Sequence, residues 1–200
     1  MMGVMRLFFD VYVQIFFVLT PFFVLSMFLA MTRDYREGAR KALALKVAGA
    51  VIVISLILFV FGRVIFMVFG ITTDAFKVGA GVLLLLSAIS MVSGNAGSKA
   101  DTERSDIAVV PLAIPITVGP ATIGVLLVMG AELTTVAQKL VAGSALVLAA
   151  MTVSLLLYMA SGIERRLGTI GLNILSKLTG LMLAAIAAQL ILTGVKHFLQ

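Results

Sequence analysis

Six stretches of this 200-residue chain carry no charged residue: positions 11–32, 47–62, 78–98, 107–131, 140–163 and 178–195. A helix crosses the hydrocarbon core of a bilayer with about 20 apolar residues, so the stretches read as six membrane spans. The second is short because Lys46 interrupts it. A lysine stem can run along the span and place its ammonium among the headgroups, which lets that helix begin near Ala42. The first stretch follows Arg6 and Asp10 and precedes further spans, so it reads as span one and not as a removable leader.

Composition agrees: 62% of residues are hydrophobic, 12% are charged and the mean hydropathy is +1.19. A soluble domain does not have this usage. Cysteine is absent, which excludes disulfides, thiolate nucleophiles and cysteine-held metals. The net charge of +6 is spread over short loops between spans, the pattern of topology signals and lipid headgroup contacts and not of a nucleic-acid face.

The chain reads as two copies offset by about 100 residues. Gly62 falls beside Gly162, Lys77 beside Lys177 and Gly94 beside Gly194; Gly70 and Gly168 keep step with a two-residue gap, and Pro21 falls beside Pro120. Residues 1–94 form the first three-span repeat, 95–106 a polar linker and 107–200 the second repeat, all within one transmembrane domain. Three spans are an odd number, so the second copy enters the membrane from the opposite side, giving the inverted repeat common in secondary transporters. Ten Lys and Arg fall on one side (33, 36, 40, 41, 46, 99, 104, 165, 166, 177) and five on the other (6, 63, 77, 139, 196). The positive-inside rule then predicts both termini outside the cytoplasm. The semi-apolar segments VIFMVFGIT and IERRLGTIGLNIL read as interfacial turns or short helices.

All four prolines, Pro21, Pro111, Pro115 and Pro120, lie in spans one and four, the same element of the two copies. A proline removes one helical hydrogen bond, and hydrocarbon offers no substitute partner. Thr20 before Pro21 and Gly119 before Pro120 therefore read as N-caps of half-helices that begin in mid-membrane. N–H groups of Phe22, Phe23 and Val24, and of Ala121, Thr122 and Ile123, would face an anionic group there. Carbonyls of residues 16–19 and 114–118 would offer the opposite charge. The candidate substrate-binding residues are Thr20, Pro21, Phe22, Phe23, Ser26, Thr117, Gly119, Pro120, Ala121 and Thr122. Among the polar residues within spans, Gln14, Ser26, Ser87, Ser90, Gln189 and Thr193 read first as helix–helix hydrogen bonds, while Thr117 and Thr122 stand out because they flank the span-four break.

None of the nine acidic residues falls inside a span; Asp10, Asp74, Asp106 and Glu132 sit at ends. A backbone-lined site without a buried carboxylate suits a zwitterion, whose own carboxylate meets the N–H groups and whose ammonium meets carbonyls and hydroxyls. Small neutral amino acids fit this description. Coupling to Na+ through carbonyls, to H+ along a water path, or plain exchange all stay open, as do direction and oligomeric state. His197, the only histidine, reads as a headgroup-facing residue; no catalytic, metal or cofactor site is expected, and the chain is not expected to be an enzyme.

The segments TPFFVLSMF near position 20, FGITTDAFKVGAGVLLLLSAISM in span three and, most specifically, PLAIPITVGPATI in span four resemble the MarC family of integral membrane proteins. The resemblance covers essentially the whole chain. It implies six spans in two inverted halves; with helices one and four broken at their prolines, the expected fold is an all-α membrane protein. It also implies kinship to LysE-type exporters and, through the SnatA-like (NAAT) members, transport of glycine- or alanine-like substrates, for which the inverted repeat offers alternating access. A carrier of another small solute, or a regulatory partner that does not transport, is the alternative. The family's first-half pattern resembles Asn-Pro-x-Gly-x-x-Pro-x-Phe. Here Pro21 and Phe28 match, whereas Thr20 replaces Asn, Phe23 replaces Gly and Ser26 replaces the second Pro. Phe23 either narrows the pocket toward glycine-sized substrates or marks a different substrate.

Overall fold

The computed structural model describes residues 2–94 and 117–199. Pro111, Pro115, the polar linker and the start of span four lie outside the described residues. The elements are α1 (Met2–Val18), α2 (Pro21–Met31), α3 (Glu37–Phe69), α4 (Thr73–Ser93), α5 (Pro120–Glu132), α6 (Val136–Tyr158) and α7 (Ala160–Phe198). Five helical stretches among the described residues are long and apolar enough to cross a membrane, with α1 and α2 counted as one; α5 is a shorter apolar helix. The molecule is an all-α membrane protein of about six helices.

The helices stop where local chemistry allows. Gly70, at φ 64°, caps α3 in the left-handed conformation that glycine adopts without strain. Thr72 starts α4 by accepting the Ala75 N–H on its hydroxyl at 3.3 Å. Thr135 and Gln138 form a reciprocal capping box at the start of α6. With 33 residues, α3 is about 50 Å long at 1.5 Å per residue and overshoots a hydrocarbon core of about 30 Å. It begins at Glu37, well before Ala42. The segment VIFMVFGIT is accordingly not a separate interfacial element: no residue before Gly70 interrupts α3, and its helix continues through Phe69. In IERRLGTIGLNIL the chain does break, at Gly168, whose φ of 64° and ψ of 178° separate a short first part of α7 from its long remainder.

In lipid the tails are as apolar as leucine, so close packing and hydrogen bonding hold helices together. The main pairings are α4 with α7, α3 with α5 and α6, α1 with α6, α4 with α5 and α2 with α7. Small residues let the backbones approach. A Cβ on Gly194 would come within 2.7 Å of the Asp74 carbonyl, and one on Gly130 would overlap the Phe59 carbonyl. Ile15, Leu25, Phe28, Leu126, Leu146 and Leu183 fill the interior, while Val53, Ile57, Val60 and Val64 of α3 lie exposed on the outside. That apolar exterior is the surface a bilayer covers.

Candidate functional site

Span one breaks where the prolines require it. The last bond of α1 tightens: the Leu19 N–H still donates four residues back to Ile15, but the Thr20 N–H donates three back to Phe17, both at 2.9 Å; α2 then starts with the Val24 N–H donating to Thr20 at 2.9 Å. Val24 is thus already bonded, which removes it from the expected set of free donors. The N–H groups of Phe22 and Phe23 precede this first bond and have no carbonyl four residues back within α2. Thr20 was expected to cap through its side chain, yet it makes no side-chain cap bond. It lies at φ 48°, ψ 55°, the only described non-glycine residue with positive φ. With no N–H on Pro21 to continue the ladder, the chain re-aims α2 through a left-handed residue, and a β-branched side chain resists that conformation.

The second break uses different backbone. Gly119 is extended at φ −77°, ψ 175°, a conformation open to any residue, so this turn does not require glycine. The Ile123 N–H closes onto Gly119 at 2.9 Å, which leaves Ala121 and Thr122 ahead of the first helical bond and removes Ile123 from the expected donors. The two breaks meet. Thr122, buried in the first turn of α5, donates its hydroxyl to the Val18 carbonyl at 3.2 Å. In an unbroken helix that carbonyl would take the Phe22 N–H.

Around this contact Pro21, Thr117 and Ala121 are buried, Thr20, Phe22, Phe23, Ser26 and Gly119 are half-buried, and Pro120 is exposed. Phe22 stands edge-on to Phe16 with centroids 6.5 Å apart, and Phe23 packs against the core. The Ser26 hydroxyl donates back to Phe22 within α2 at 2.9 Å. Ser87 and Thr193 likewise bond carbonyls of their own helices, at 2.9 and 2.7 Å. These three hydroxyls therefore do not make the helix–helix bonds expected of them: a carbonyl one turn back is always within reach.

Sequence reasoning missed a polar cluster at the end of the molecule that holds Asp10. Lys77 was counted only among the loop charges that set topology; its side chain is 4% exposed, one turn into α4. Its ammonium lies 3.1 Å from Asp74 and in direct contact with Glu132 of α5, while His197 Nδ1 approaches Asp74 at 3.4 Å. A charge taken out of water needs such partners. The three-residue spacing of Asp74 and Lys77 marks a helical pair, but nothing local signals that Glu132 completes it. Lys77 and Glu132 border a cavity of about 620 Å³, together with Asp10, Gln14, Gln189 and Thr193. Gln14 and Gln189, read as helix–helix contacts, thus line open space.

At the α2–α3 loop, Arg40 ties three elements. It donates to the carbonyl of Thr32, the C-cap of α2, at 2.8 Å and to Ser161 of α7 at 2.8 Å. A guanidinium suits a helix C-terminus, where carbonyls lack partners and the dipole is negative.

A profile describing MarC family integral membrane proteins matches residues 5–199. UPF0056 membrane protein MJ1677 of Methanocaldococcus jannaschii is 35% identical, over 92% of this chain and 93% of its own. UPF0056 membrane protein YhcE of Escherichia coli is 30% identical, over 94% and 92%. A UPF0056 membrane protein of Aquifex aeolicus is 29% identical, over 97% and 94%. No solved structure matches.

Proposed function

Starting from the chain's place in the MarC family of integral membrane proteins, to which it belongs, we propose that it is a secondary transporter of small neutral amino acids, glycine- or alanine-like, working by alternating access between two inverted three-helix repeats. The observation that carries the reading is the Thr122–Val18 hydrogen bond, which brings the two proline breaks together inside the bundle. The N–H groups of Phe22, Phe23, Ala121 and Thr122 stand ahead of the first helical bonds of α2 and α5, the place where a helix offers donors to a carboxylate. Helix pairing supports the repeat: α4 of the first half on α5 of the second has its counterpart in α7 of the second half on α2 of the first, and α4 on α7 pairs the equivalent third helices. Two copies related in this way can exchange conformations and so expose one site to either side in turn.

The test is flux of labelled glycine and alanine in proteoliposomes containing the full chain. Saturable flux is expected, reduced at least tenfold by Thr122→Val and largely retained by Thr122→Ser. Absence of flux across a panel of neutral amino acids, from a folded and correctly reconstituted protein, overturns the proposal in favour of a different solute or a non-transporting role.

A further inference from the structure

The cavity bordered by Lys77 and Glu132 lies away from the breaks, and its chemistry is different. Asp74 and Glu132 both contact one buried ammonium, yet they are held unequally. Asp74 is in the first turn of α4, where the helix dipole favours a carboxylate, and it also faces His197. Glu132 is the last residue of α5, where the dipole opposes its charge, and its side chain is 47% exposed. Asp74 is the fixed partner and Glu132 the displaceable one.

We infer that this cavity is a docking site for a zwitterionic amino acid, which inserts into the Lys77–Glu132 ion pair with its carboxylate on Lys77 and its ammonium on Glu132. The inference rests on the transport reading above, and assigns that substrate class a first stop before the breaks. Insertion of a zwitterion replaces one ion pair by two and leaves the net charge of the cavity unchanged. A simple anion on Lys77 would leave Glu132 unpaired, and a simple cation on Glu132 would leave Lys77 with Asp74 alone. Each makes one new ion pair at the cost of the old one, where a zwitterion makes two. The cavity, at about 620 Å³, holds a small amino acid with its waters, and Gln14, Gln189 and Asp10 supply further polar contacts at its wall.

The experiment measures thermal stability of the purified full chain in detergent against glycine, acetate and methylammonium, alongside glycine flux. Glycine is expected to raise the midpoint saturably, while acetate and methylammonium at equal concentration give less than a third of that shift. Glu132→Gln keeps the Lys77–Asp74 pair, so the fold is retained; it is expected to raise the half-saturating glycine concentration at least tenfold in both assays. Lys77→Met with Glu132→Leu, which removes both charges together, is expected to abolish the glycine shift that depends on this cavity. An unchanged half-saturation in Glu132→Gln, or acetate matching glycine in the wild type, overturns the docking site. If wild-type protein shows a glycine shift that Glu132→Gln weakens but no flux, the docking site stands and the transport reading falls.

Discussion

Thr20 is held in a conformation its side chain disfavours. A left-handed L-residue costs about 1–2 kcal/mol, more for a β-branched one, and asparagine tolerates the region because its short amide bonds locally. The family pattern this segment resembles has asparagine at that position. Thr20→Asn is therefore expected to raise the thermal midpoint in detergent, by the equivalent of about 1 kcal/mol; a lowered midpoint would show that the threonine side chain is needed where it stands. Thr122 presents the opposite case. Thr122→Val preserves shape but leaves the buried Val18 carbonyl without its donor. Loss of one buried partner costs about 1–3 kcal/mol, so Thr122→Val should unfold at lower temperature than Thr122→Ser, which keeps the hydroxyl. The sequence marked Thr122 as unusual through its position beside the break. It gave no indication that its partner would be Val18, because that pairing spans 104 residues.

Among the elements, α3 and α5 approach most closely where side chains are missing. Gly130→Ala would place a methyl group onto the Phe59 carbonyl, and α5 must shift to relieve it. Overpacking of this kind costs about 1–3 kcal/mol. Because α5 carries Thr122 at its other end, the same variant is expected to lower flux, whereas Gly3→Ala, with nothing within 4 Å of the added Cβ, should be neutral in both assays. Gly168 sits at φ 64°, ψ 178°, a region essentially restricted to glycine. Gly168→Ala is expected to destabilise by about 1–3 kcal/mol through backbone strain alone, read as a lowered midpoint, since the added Cβ meets no neighbour. The apolar runs announced the spans, but not how far α3 would extend into flanking polar sequence. Helix continues until something stops it, and between Glu37 and Gly70 nothing does.

At the scale of the molecule, two polar clusters link different elements. Lys77 with Asp74 and Glu132 joins α4 to α5; Arg40 joins the end of α2 and the start of α3 to α7. The exchange of conformations proposed above would have to loosen such joints in turn. Arg40→Met keeps the stem and removes the donors, and is expected to speed amide hydrogen exchange at the C-terminal turn of α2 and around Ser161, with exchange in α4 unaffected. Exchange that stays unchanged at both places would mean that Arg40 does not hold that end closed. The sequence by itself determined that the chain is an apolar, helical membrane protein, that span one is interrupted at Pro21 and that a helix starts at Pro120, because hydropathy and proline act through local backbone chemistry. Only the tertiary structure decided that the breaks touch, that Thr20 and not Gly119 carries the unusual backbone, and that Lys77 is buried against Glu132. Those depend on which distant residues share one small volume, and packing, not local pattern, sets that.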